Sequence, residues 1–262
     1  MRVAVVQTSP VFGEPARNIR DVIALMEASP ADLYVLPELC STGYNFASLA
    51  EATALSEPAD GPTSRAVCAF AQGRSCYVVY GFAERATQLF NSSALVGPQG
   101  LAGIYRKVHL FYREKLFFAP GDLGFPVFDL PPGKLGMMIC FDWMFPESAR
   151  TLALNGALLI AHPSNLVMPY CPDAMVTRCL ENRVFAATAD RVGRENRDGV
   201  DLRYIGKSQI VSPRGEILHR LGAEDTGVCA VELDLATAKS KSINEFNDLF
   251  TDRHPSSYTP HS

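Results

Sequence analysis

Twice along these 262 residues, short apolar runs alternate with stretches of helical spacing, and that double alternation limits the chain to a layered α/β fold. In the first half, "RVAVVQT" (2–8) reads as a buried strand. "NIRDVIALMEA" (18–28) places Ile19, Val22, Ile23 and Met26 on one helical face. "DLYVLPE" (32–38) is a second strand, and "PTSRAVCAFAQG" (62–73) runs from a capping cluster to a glycine, as helices do. "CYVVYGFAE" (76–84), "NSSALV" (91–96) and "LAGIYRKV" (101–108), with a "GPQG" turn between the last two, predict a meander.

The second half repeats the theme. "KLGMMIC" (134–140), "ALLIAHP" (157–163), "FAATAD" (185–190) and "GVCAVELDL" (227–235) read as strands. "PESARTLALNG" (146–156) and "DAMVTRCLENRV" (173–184) read as helices, and 206–218 as a hairpin around "SPRG". The hairpins argue against an all-parallel sheet. No linker or composition shift divides the chain, so one domain over 1–262 is expected, ending in a polar arm at about 239–262 that carries Phe246, Phe250 and Tyr258. The recurrence of Phe246 and Phe250 at helical spacing, in a segment too polar to fold alone, suggests that the arm lies across a partner subunit.

Several function classes fall away. The net charge is −4 and no basic run exceeds two residues, which argues against a nucleic-acid partner. No stretch approaches the roughly 20 apolar residues of a membrane span, and the short apolar run of "MRVAVVQTSP" does not make a signal peptide; a cytoplasmic setting is expected. Seven scattered cysteines do not form a disulfide framework, and there is no CxxC or HExxH metal spacing. "GKS" at 206–208 lacks the glycine spacing and following helix of a phosphate loop, and no GxSxG elbow is present.

Comparison of strand ends is more informative. "LYVLPE" delivers Glu38, "LAGIYRK" delivers Lys107 and "LGMMIC" delivers Cys140, each at the carboxyl end of an apolar run, where α/β sheets place their sites. Singly these would be a turn residue, a solvated lysine and a packed thiol. Together they fit nucleophilic chemistry. A neighbouring ammonium is expected to lower the Cys140 thiol from about 8.5 toward neutrality. Lys107 would supply that charge and then donate to an oxyanion. A desolvated Glu38 would shuttle the proton and activate water. The Phe141 N–H, at the turn after Cys140, offers a second oxyanion donor, each donor being worth about 3–4 kcal/mol. His162 and His109 read as hydrogen-bonded structural histidines, and Asp142 as a brace for the turn.

"LPELCSTGYNF", "YRKVHLFYREKLFFAPGD" and "CFDWMFPESARTLALNGA" resemble the three signature blocks of the nitrilase superfamily of carbon–nitrogen hydrolases. The likeness extends through "AHPSNL" and "RCLENRVFAATADR", covering nearly the whole chain. It implies a four-layer α-β-β-α sandwich that pairs into a homodimer and uses no metal or organic cofactor. It places the family's Glu–Lys–Cys triad on Glu38, Lys107 and Cys140, and its second glutamate on Glu114. The implied activity is hydrolysis of a small non-peptide C–N bond through a cysteine acyl-enzyme, with a small amide or nitrile as substrate. An amidase is favoured; a nitrilase of aliphatic nitriles and an N-carbamoyl amine hydrolase are the alternatives. A non-catalytic binding module is remote given the intact triad, and 262 residues leave no room for the ATP-using domain of a glutaminase-dependent synthetase. Relatives that cleave N-carbamoyl amino acids carry arginine two to four residues past the cysteine. Here that stretch is Phe141-Asp142-Trp143-Met144, without a cation, so substrates lacking a nearby carboxylate are expected.

Overall fold

A computed structural model describes residues 1–258. Its first sheet is built from β1 (Arg2–Gln7), β2 (Leu33–Val35), β3 (Tyr77–Arg85), β4 (Leu89–Gly97) and β5 (Gly100–Arg106). The second holds β6 (Val127–Leu130), β7 (Gly133–Met137), β8 (Leu159–Pro163) and β9 (Phe185–Ala189). After a separate hairpin, β10 (Arg194–Arg197) and β11 (Val200–Arg203), that sheet is completed by β12 (Gln209–Val211) and β13 (Ile217–Arg220). β14 (Gly227–Glu232) then returns to the edge of the first. The strand orders are β14-β1-β2-β3-β4-β5 and β13-β12-β9-β8-β7-β6. β1, β2 and β3 run parallel, as do β7, β8 and β9; every other pairing is antiparallel.

Side-chain alternation explains the layering. Val3, Val5, Leu33, Val35, Val79 and Leu95 point into the core between the sheets. Their neighbours Ala4, Val6, Tyr34, Leu36, Val78 and Val96 point the other way. There they meet α1 (Pro15–Ala28) and, beyond α2 (Leu49–Leu55), α3 (Pro62–Arg74). α4 (Pro146–Leu154) and α5 (Cys171–Asn182) cover the second sheet. The result is the expected α-β-β-α sandwich. Pro15, Pro62 and Pro146 stand in the first turns of their helices, where a missing N–H costs nothing.

The strand ends differ from expectation. β2 stops at Val35 and β7 at Met137, so Glu38 and Cys140 each lie three residues beyond a strand. Pro37 cannot donate to a ladder. On the other side, the Ile139 N–H bonds the Asp142 carboxylate at 2.8 Å and so turns away from the ladder. The sequence reading lacked α2, β6 and the β10–β11 hairpin. The arm contains no α-helix among the described residues, only a 3-10 turn at Pro255–Ser257. It forms turns in which Phe250 packs under Arg150 and Lys241, while Phe246 is 82% exposed. Residues 259–262 of the predicted arm lie outside the described residues. No described helix is long and apolar enough to cross a membrane.

Candidate active site

Three strand-to-loop connections converge. Glu38 is fixed where its loop presses against β3: the Cys40 N–H donates to the Gly81 carbonyl (3.0 Å) and the Gly81 N–H to the Pro37 carbonyl (3.1 Å). A Cβ on Gly81 would stand 2.5 Å from the Glu38 Cα, so only glycine permits the approach. Lys107, just past β5, donates its N–H to the Asn91 carbonyl and accepts from the Gly121 N–H, both at 2.8 Å. A Cβ on Gly121 would lie 1.9 Å from the Arg106 carbonyl oxygen. Arg106 is itself locked by two bonds to Glu84 (2.7 and 2.9 Å). Glu114 sits in a single 3-10 turn, Tyr112–Leu116.

Lys107 Nζ donates to Glu38 Oε1 at 2.6 Å and to Glu114 Oε1 at 2.7 Å. Each acceptor oxygen takes one further, neutral donor: Asn91 Nδ2 on Glu38 (2.7 Å) and the Tyr44 hydroxyl on Glu114 (2.5 Å). Oε2 of both carboxylates is buried and has no hydrogen-bond partner among the described residues. All of these side chains are buried. Burial alone would discharge Lys107, but Glu114 and Glu38 outweigh it and hold the ammonium above the ordinary lysine range. Burial raises Glu38 to about 7 despite the opposing ammonium.

Cys140 opens a short 3-10 turn, Cys140–Met144, with φ of +41°, a conformation β-carbon residues rarely adopt. Two buried side chains hold it. His162 Nε2 donates to the Cys140 carbonyl at 2.9 Å, and burial lowers that imidazole to about 4, so it is neutral with its proton on Nε2. Asp142 accepts from Ile139 N, Tyr105 Oη, His109 N and His109 Nδ1 at 2.6–3.1 Å. It therefore braces the turn and ties it to the segment after Lys107, as read from the sequence. Phe141 follows in the first turn of the 3-10 element, where N–H groups have no partner within the helix. Asn165 links the two sides: its Nδ2 donates to the Glu38 carbonyl (2.8 Å) and its own carbonyl faces Cys140 Sγ at 3.8 Å. The expected drop in the thiol's pKa is not found. Burial, reinforced by the Glu38 carboxylate, drives it well above its ordinary value against the pull of Lys107.

The structure thus brings together Glu38, Lys107, Glu114, Cys140 and Phe141. Sequence reading overlooked Tyr44, Asn91 and Asn165. One signal existed: Asn91-Ser92-Ser93 is a polar triplet inside a strand, which a fully apolar core would not tolerate. Beside the thiol is a narrow cleft lined by Phe111, Phe141, Trp143, Leu166 and Met168, with a free volume of about 10 Å³. That is roughly the space of one water. Among the described residues no cluster of metal-ligating side chains occurs.

An apolar cleft over a buried thiol, beside an ammonium clamped by two carboxylates on an α-β-β-α frame, defines a thiol-hydrolase type of site. The carbon–nitrogen hydrolase family model matches residues 2–242, and the chain belongs to that family. A protein described as a nitrilase from Pyrococcus abyssi is 50% identical, covering 98% of this chain and 99% of its own. An (R)-stereoselective amidase from a Pseudomonas species is 34% identical over 92% of this chain and 87% of its own. Among solved structures, an amidase from a Nesterenkonia species superposes with a TM-score of 0.79 at 26% identity, covering 98% of this chain and 94% of that one.

Proposed function

We propose that the protein hydrolyses small, neutral primary amides to acid and ammonia, with Cys140 as nucleophile. The observation that carries this reading is the single buried ammonium of Lys107 shared by two carboxylates next to a protonated thiol. Cys140 passes its proton to Glu38, whose raised pKa suits a base working near neutrality, and its sulfur attacks the amide carbon. Lys107 and the Phe141 N–H stabilise the oxyanion. Glu38 returns the proton to the leaving nitrogen, ammonia departs, and a thioester remains. Water, deprotonated by Glu38, releases the acid and restores the thiol. Glu114 holds Lys107 and seats the substrate.

Nitrile hydrolysis is the second reading, favoured by the 50% identity to the Pyrococcus abyssi nitrilase. Both reactions reach the same thioester: the amide adduct loses ammonia directly, whereas a nitrile first gives a thioimidate that takes up water before ammonia leaves. The absence of any cation at positions 141–144, with Asp142 fully buried and fully engaged, disfavours a carboxylate close to the scissile bond. Ammonia release should be measured from a small aliphatic amide, a small nitrile and an N-carbamoyl α-amino acid, with Cys140→Ala as control. The neutral amide should give the highest kcat/KM and the variant none. Full activity in Cys140→Ala overturns the mechanism, and a tenfold preference for the acid, about 1.4 kcal/mol, overturns the pocket reading.

A homodimer and a cytoplasmic setting also form part of this proposal. The 82% exposure of Phe246 supports the first, and seven free thiols the second. Removal of residues 241–262 should lower the mass in solution; an unchanged, equally stable dimer would exclude the arm from the interface.

A further inference from the structure

Glu38 and Glu114 are treated alike: one oxygen takes Lys107 and one neutral donor, and the other oxygen is left without a protein partner. A carboxylate gripped at one oxygen by two donors from different directions cannot rotate, so its second oxygen has a fixed direction. For Glu38 the neutral donor is Asn91, seated in the middle of β4. For Glu114 it is Tyr44, which belongs to a loop and needs support from elsewhere.

That support is a second buried ion pair outside the described machinery. Glu195, on β10, accepts the backbone N–H groups of Tyr44 (3.2 Å) and Asn45 (2.7 Å) and the Tyr204 hydroxyl (3.1 Å). Its other charge partner is Arg191, which also donates to the Pro10 carbonyl (3.1 Å) and stacks 4.1 Å over the Tyr204 ring. Both charged side chains are buried. Burying an ion pair is expensive, and here it is spent on holding two peptide N–H groups of one loop. Gly43 makes the approach possible, since a Cβ there would lie 2.8 Å from Glu195 Oε1. The Tyr44 ring packs edge-on to Tyr204 at 6.3 Å, which fixes the direction of its hydroxyl.

We propose that Tyr44 is a positioning residue: anchored through its backbone by the Arg191–Glu195 pair, it aims the Glu114 carboxylate so that Oε2 receives an N–H of the substrate amide. The inference rests on the functional reading above. Burial and the adjacent Glu114 keep the Tyr44 phenol protonated, hence a donor, throughout the working pH range.

The test is a kinetic double-mutant cycle on the full-length protein with a small primary amide, reading ammonia. Tyr44→Phe keeps the ring and removes one hydroxyl. Its kcat/KM should fall about 10- to 100-fold, as for loss of a hydrogen bond to a charged acceptor, with a raised KM and an unfolding midpoint within about 2 °C of wild type. In a Glu114→Gln background the same change should cost less than about threefold, because the group Tyr44 aims is gone. High enzyme concentration keeps slow variants measurable; should Glu114→Gln release no ammonia at all, the cycle is run on saturable alkylation of Cys140 by chloroacetamide, followed by intact mass. A Tyr44→Phe enzyme within twofold of wild type overturns the proposal. So does an undiminished effect in the Glu114→Gln background, which would mean that Tyr44 acts on substrate directly or only on structure. An inactive wild type, or an active Cys140→Ala, would instead sink the functional reading and is seen before any variant at position 44 is made.

Discussion

Both six-stranded sheets run through one pattern of strand directions, an antiparallel edge strand, three parallel strands and two antiparallel ones, yet they bring different chemistry to the cleft. The first sheet supplies Glu38, Asn91 and Lys107, an ionic cluster that closes on itself. The second supplies Cys140, His162 and Asn165, all neutral in the resting protein. Topology therefore dictates where groups emerge, and, since both sides are equally buried, an opposite charge close by dictates which of them stay charged. The ionic side is stabilised by mutual compensation, whereas the neutral side is held by backbone strain and hydrogen bonds.

The largest effect should expose that asymmetry directly. Cys140→Ala should abolish turnover yet leave the unfolding midpoint almost unchanged, because one sulfur opens little cavity. Lys107→Met should lose at least about 10²-fold in activity and also about 3–5 kcal/mol of stability, since two buried carboxylates are left facing each other. Chemical denaturation of the two variants side by side makes the comparison. Equal stabilities would break it.

The next effect depends on pH. Folding raises Glu38 from 4.5 to about 7, so between those values the folded protein keeps a proton that the unfolded chain has released. Its contribution to stability is full below about 4.5 and is lost as pH rises through about 7. Activity should move oppositely, kcat/KM climbing through about pH 7 as Glu38 ionises. Glu38→Gln should flatten the stability profile in that window and cost at least about 10²-fold in rate; a wild-type acid limb near pH 4.5 would contradict the assigned burial. The smallest effect sharpens the neutral side. Asp142→Asn retains the shape but cannot accept all four donors, and should cost about 1–3 kcal/mol with a several-fold slower rate. Unchanged stability would show that the turn at Cys140 holds itself.

The sequence made the layers legible because Val3 through Val6 and their counterparts form continuous apolar runs, which a strand buries only when both its faces are covered, and because segments of helical spacing alternate with them. It made Glu38, Lys107 and Cys140 legible because each closes an apolar run. It could not show that β2 and β7 end early, since that depends on Pro37 and on Asp142 capturing the Ile139 N–H across a turn. Nor could it give the thiol's direction of shift. Proximity to Lys107 lowers the pKa and burial raises it, and only coordinates say which dominates. Tyr44 was hidden for a similar reason. Its partners Glu114, Glu195 and Tyr204 lie 70, 151 and 160 positions away, joined through three different connections. The β10–β11 hairpin was missed because "RENR" and "VDLR" carry too little apolar character to read as strands.

Gly81 and Gly121 carry a consequence for anyone redesigning this catalyst. Because backbone touches backbone at both places, no residue choice there can nudge Glu38 or Lys107 by a fraction of an ångström; a library randomised at these positions would return almost solely inactive clones. Adjustable surroundings lie elsewhere, in side chains that reach the cleft by their tips, such as Phe111 and Met168. Substrate range should therefore drift readily while the ionic cluster stays put, and a search for altered selectivity gains most by leaving both glycines out of the randomised set.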